Sequence, residues 1–226
     1  MKSDTTEKGL ESLVISGSAQ RGWREGSPSD YDREYAVDLA QLAAFLLVTQ
    51  PEIPEALDLA TAGPTRQKFL ARLQGEVSRR GVLDVVRSGV KHGPHQIDLF
   101  YGTPSPDNPA AVERFAQNRF SVTRQLRYSR DETQLALDLA LFINGLPIAT
   151  FELKNSLTKQ TVADAVEQYK RDRDPRERLF EFGRCLVHFA VDDGEVRMCT
   201  QLKSRASWFL PFNQGCLLYT SPSPRD

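Results

Sequence analysis

Three charged side chains interrupt the apolar run LALDLALFINGLPIATFELK: Asp138, Glu152 and Lys154. Burying charge among leucine, isoleucine and phenylalanine is costly unless the charge is paired or binds an ion. Two carboxylates brought together can share a hard divalent cation, Mg2+ or Mn2+, which takes oxygen ligands. The carbonyl of Leu153 can supply a third oxygen. Such an ion polarises a phosphodiester and lowers the pKa of a bound water, and Lys154 beside it can position that water or stabilise the pentacovalent phosphorane. Against this stands a plain alternative. Glutamate and lysine are both common, so a Glu-x-Lys triplet by itself fits a salt bridge at a sheet edge equally well.

The elements around these residues decide whether they can meet. Side chains alternate faces along a strand, so Glu152 and Lys154 share a face with Ile148 and Thr150. Asp138 shares its own with Ala136 and Ala140, while Leu135, Leu137, Leu139 and Leu141 fill the other. Asn144-Gly145 is a strong hairpin signal. A two-residue loop pairs Ile143 with Leu146, sets Asp138 opposite Phe151, and turns Glu152 to the wrong face. A three-residue loop, Ile143-Asn144-Gly145, pairs Phe142 with Leu146 and sets Asp138 opposite Thr150. Glu152 then lies diagonally at about 7–8 Å. A shared site therefore requires an odd loop, or a bulge that restores parity.

Elsewhere, helix spacing covers Asp32–Thr49, stopped by the prolines of QPEIP, and Pro64–Arg79. VLDVVRSGV and HQIDLFYG read as strands around a glycine turn, and a short helix covers Ala110–Asn118. FSVTRQLRYS, QLALDLALFI and PIATFELK are strands, QTVADAVEQYKRDR is a helix, and RCLVHFAVDD and EVRMCTQL close the sheet. The expectation is an α/β (α+β) domain, a mixed central sheet flanked by helices. Residues 1–30 form a polar segment with one short element, 31–215 the domain, and 216–226 a tail foreign to the pattern.

Together, NRFSVTRQLRYS, LDLALFINGLPIATFELKNSLTKQTVADAVEQYKRDRDP, RCLVHFAVDDGEVRMCTQL and FLPFNQG resemble the N-terminal domain of the restriction subunit of type I restriction endonucleases. Asp138 followed by Glu152-x-Lys154 resembles the PD-(D/E)xK nuclease motif. The resemblance implies a Mg2+-dependent nuclease domain, with Mn2+ able to substitute, acting on double-stranded DNA beside modification and specificity subunits. It makes Asp138 and Glu152 the metal-binding acids and Lys154 the catalytic lysine. ATP belongs to a motor lying downstream of these residues. Related nucleases often carry a Gln-xxx-Tyr pair on the next helix. Tyr169 matches the tyrosine, Ala165 stands at the glutamine position, and Gln168 lies about 100° round the helix.

Weaker features complete the reading. Lys170 and Arg173 head the mixed-charge run after the helix, and with Arg124 and Arg127 they are candidates for phosphate contacts. Interleaved acids make a solvated surface the competing account. His92 and His95 lack a third ligand, His188 suits a core position, and Asp98 competes less well than Asp138 for the acidic role. Neither a phosphate-binding Gly-Lys loop nor a dinucleotide fingerprint is present. A formal charge of -1 argues neither for nor against a nucleic-acid partner. Three cysteines without a C-x-x-C pair suit a reducing compartment. With no apolar leader or membrane-length run, the expectation is a cytoplasmic protein.

Overall fold

The computed structural model describes residues 7–213 apart from 106, 132–133 and 156–158; the tail proposed for 216–226 lies outside the described residues. The helical first half comprises α1 (Glu7–Ala19), β1 (Arg24–Glu25), β2 (Tyr31–Asp32), β3 (Val37–Asp38), α2 (Leu39–Thr49), α3 (Glu52–Ala56), α4 (Pro64–Arg80), α5 (Val82–Ser88), β4 (Val90–His92), β5 (His95–Ile97) and α6 (Pro109–Ala116). The second half supplies β6 (Phe120–Arg127), β7 (Ala136–Ile143), β8 (Leu146–Leu153), α7 (Val162–Asp172), β9 (Val187–Val191), β10 (Val196–Cys199) and β11 (Leu210–Pro211).

Seven strands form one mixed sheet in the order β1-β6-β7-β8-β9-β10-β11. The hairpin strands β6, β7 and β8 pair antiparallel, and β9 joins β8 in parallel through the crossover helix α7. This is the expected mixed α/β architecture. Helices cover both faces: Leu10, Val14 and Ile15 of α1 pack against Val122, Leu139 and Leu153. Val162, Ala165, Val166 and Tyr169 of α7 pack with Ala140, Phe142 and Ala190. A separate cluster from α2, α4 and α5 reaches the sheet through Leu146.

Two segments depart from the sequence reading. VLDVVRSGV forms helix α5, not a strand, because Gly81 (φ 81°) and Gly89 (φ 66°) frame it and Val82, Val85 and Val86 bury one helical stripe. The β-branched content is overridden by tertiary packing. The predicted helix from Asp32 begins only at Leu39. Asp32 Oδ1 instead accepts the amides of Glu34 and Tyr35, making a turn, and Asp38 accepts the Gln41 amide as the true N-cap.

Candidate metal and nuclease site

The hairpin combines a two-residue turn with a bulge. The turn is a two-residue one: Ile143 pairs with Leu146, Asn144 and Gly145 take φ 49° and 84°, and Phe142 pairs with Pro147. These angles are the type I′ pattern that suits Asn-Gly. The three-residue loop is thus not formed. The register then shifts, so that Leu141 pairs with Ala149, Ala140 with Thr150 and Leu139 with Phe151. Ile148 is the extra residue, directly after Pro147. Proline has no N–H to give to a ladder, and strands tolerate it at bulges. The ladder ends at Leu139–Phe151; Asp138 and Glu152 are the next residues in this register, directly opposite and not diagonal. The bulge restores the parity that the turn alone would destroy.

At that step the backbone ladder gives way to a side chain. The Leu153 N–H donates to Asp138 Oδ2 at 2.7 Å. On the other side of β7, the register between Arg124–Leu139 and Leu126–Leu137 leaves Gln125 beside Asp138, and Gln125 has φ 50°. A bulky residue in this left-handed region disrupts regular pairing. The consequence corrects the expected leucine face. Leu139 packs under α1, whereas Leu137 and Leu135 join the cluster under α7. Asp138 sits where the strand's alternation breaks.

Glu152 is wholly buried. Its Oε1 accepts from Arg173 Nε at 2.6 Å, while Oε2 has no hydrogen-bond partner among the described residues. Burial pushes the carboxyl up to about 8, opposed by the Arg173 guanidinium and, more weakly, by Lys154; Asp138 adds to the rise. Lys154 follows β8, half-buried, its amide donating to the Val191 carbonyl at 2.8 Å. It is electrostatically coupled to Glu152 and to Asp164 at the start of α7.

Helix α7 closes the site from above. Tyr169 Oη lies 2.8 Å from Thr150 Oγ1, which in turn lies 2.7 Å from His188 Nδ1, all three buried. Tyr169 is therefore fixed through Thr150, two residues from Glu152. His188 is a hydrogen-bonded core histidine, held down to about 3 by burial. Ala165 is buried in the packing, and Gln168 lies half-buried beside Tyr169 on α7.

The basic candidates fall into different places. Arg173 is only 4% exposed and turns inward, donating to Glu152, to Tyr128 Oη (3.2 Å) and to the Ala136 carbonyl (2.8 Å). As a phosphate contact it is corrected, since its guanidinium is engaged inside the protein. Spacing held the signal: Arg173 continues the stripe of Val166 and Tyr169 at i+7 and i+4. Lys170 is partly exposed, 3.8 Å from Glu167. Arg124 is exposed and pairs with Glu25 at 2.8 Å, and Arg127 is exposed at the end of β6. Asp98 is exposed and away from the site, its backbone N–H and C=O bonded to the Gln50 side chain. His92 and His95 face each other across the β4–β5 turn.

Among the described residues no group of three or more His, Cys, Asp or Glu side chains is arranged for a metal. The donor types suit a hard cation: Asp138 and Glu152 follow the last β7–β8 pair, and among the described residues the buried Glu152 Oε2 has no hydrogen-bond donor.

A seven-stranded mixed sheet with helices on both faces is consistent with a nuclease-like α+β core. The chain belongs to the family described as type I restriction enzyme R protein N terminus, whose model matches residues 4–207. It is 25% identical over 224 residues to the type I restriction enzyme HindI endonuclease subunit of Haemophilus influenzae, covering 91% of this chain and 20% of that protein. Over 85 residues it is 34% identical to a protein of Methanocaldococcus jannaschii provisionally named as the type I restriction enzyme MjaIXP endonuclease subunit. That match covers 36% of this chain and 8% of the relative. The chain thus spans about a fifth or less of the length of these relatives.

Proposed function

We propose that this domain is the endonuclease of a type I restriction enzyme, hydrolysing phosphodiester bonds of double-stranded DNA with Mg2+, or Mn2+ in its place. What supports the reading is the β7–β8 register, which makes Asp138 and Glu152 the next opposed residues beyond Leu139–Phe151, with Glu152 Oε2 buried and, among the described residues, without a hydrogen-bond partner. A cation held there would supply Lewis-acid polarisation of the phosphodiester and activation of the attacking water. Asp138 and Glu152 would hold it. An extended residue points its N–H and C=O to the same neighbouring strand, so Leu153, whose N–H reaches Asp138, would offer its carbonyl on that side. Lys154 would orient the water and balance charge on the phosphorane. Tyr169 and Gln168 are supporting residues, Tyr169 by holding Thr150 and hence the strand behind Glu152.

In the longer protein the domain would work beside modification and specificity subunits in the cytoplasm, after ATP-driven DNA movement by a separate motor. One observation favours a second reading, a catalytically silent module of the same fold: Arg173 already occupies Glu152 Oε1. Calorimetry separates the two. Wild type should bind Mn2+, Asp138→Ala should not, and Lys154→Ala should still bind. Equal Mn2+ binding by Asp138→Ala, or none by wild type, removes the metal site.

A further inference from the structure

A cleft of about 800 Å3 runs between the end of α7 and the turn at residues 203–206. Lys170, Arg171 and Arg176 line one wall, Lys203 and Arg205 the other, and the buried Arg173 its floor. Among the described residues, Asp174 is the one carboxylate lining it. Arg173 links the cleft to the candidate site, because its Nε is the donor to Glu152.

The two walls differ electrostatically. Arg171 pairs with Glu167 and Arg176 with Asp174, so their charge is partly answered. Lys203 and Arg205 are exposed, and among the described residues neither has an ion-pair partner. Their turn is rigid. Ser207, buried, accepts the Lys203 amide at 2.8 Å and donates to the Ser204 carbonyl at 2.7 Å, while Ser204 sits at φ 50°. A strained turn pinned by a buried hydroxyl, presenting two unanswered cations, points outward to an anion.

A hollow lined by Met198, Trp208 and Leu210 adjoins the cleft, sharing Lys203 and Ala206 with it. Trp208 is 76% exposed. An exposed indole next to a row of cations matches the way proteins hold single strands, with phosphates on the cations and a base on the aromatic face. A duplex offers no free base face there. Resting on the reading that this domain handles DNA, we infer that the cleft binds a single DNA strand, with phosphates on Lys203 and Arg205 and an unpaired base stacked on Trp208.

The test is anisotropy titration of the 226-residue chain with a fluorescent oligonucleotide, in chelator, as a single strand and as a blunt duplex. The strand should bind more tightly. Lys203→Ala with Arg205→Ala should weaken it and reduce the log–log salt slope by about 1.4. Trp208→Ala should weaken binding by at least about fivefold, with Trp208→Phe restoring most of it. Mn2+ calorimetry on the same variants must be unchanged, which shows that they fold and keeps this result separate from the nuclease reading. Unaltered binding by the double variant, preference for duplex, equal competition by polyglutamate, or no strand binding by a metal-competent wild type would each overturn the inference.

Discussion

At the scale of single residues, Glu152 is the buried carboxyl of the candidate site. Burial lifts Glu152 from 4.5 to about 8. Between those values the folded, metal-free protein keeps a proton that the unfolded chain has released. That contribution to stability is full below about 4.5 and is lost as pH rises through about 8. A cation competes with the same proton, so Mn2+ affinity should climb by up to about tenfold per pH unit toward about pH 8 and level off above. Calorimetry across that range checks it, and a flat profile contradicts it. His188 acts with the opposite sign. Its imidazole titrates near 3 when folded and 6.5 when free, so its contribution is present above 6.5 and lost as pH falls. In urea melts, His188→Gln should flatten the decline in stability between about pH 6.5 and 4 relative to wild type. Arg173→Met should cost about 1–3 kcal/mol, because it removes the buried hydrogen bonds that the guanidinium gives to Glu152, Tyr128 and the Ala136 carbonyl; denaturant midpoints measure this. The charge run around Arg173 hid its role in the sequence, where spacing with Val166 and Tyr169 would have shown an inward stripe.

At the scale of elements, the hairpin carries the geometry. Asn144-Gly145 was legible as a turn from residue type alone, and so was the requirement for restored parity. The bulge itself was not, although Pro147 beside the turn marked where a ladder hydrogen bond had to fail. Gly145 cannot be replaced cheaply: a Cβ there would lie 2.4 Å from the Asp38 carbonyl oxygen and 2.8 Å from the Leu42 amide, at φ 84°. Gly145→Ala should destabilise the protein by more than about 2 kcal/mol. It should also weaken Mn2+ binding if the shifted register sets the site. The helix at Val82–Ser88 shows the limit of composition. Valines favour strands in general, yet two left-handed glycines and a buried i, i+3, i+4 stripe made this segment helical.

At the scale of the whole molecule, the sheet joins two bodies of packing. The helical cluster of α2, α4 and α5 touches the sheet through Leu146, beside the turn that sets the register. Asn144, fully buried, holds the Leu99 carbonyl and the Arg119 amide across the same junction. The helical half therefore anchors the hairpin that aligns Asp138 and Glu152. The family was legible because the segments that resemble it span both strands and the crossover helix. The basic cleft was not, since Lys203 and Arg205 are distant in sequence from Arg171 and meet it only in the fold. Within a full-length R subunit carrying this domain, Lys154→Ala should abolish DNA cleavage and leave ATP hydrolysis within about twofold of wild type, since ATP chemistry has no phosphate-binding loop here.

The most direct measurement is an anomalous-difference map from crystals of the chain grown with Mn2+. The account predicts one strong peak about 2 Å from Asp138 and from Glu152 Oε2, absent in Asp138→Ala. A map without density between these carboxylates, with Arg173 still seated on Glu152, would contradict it.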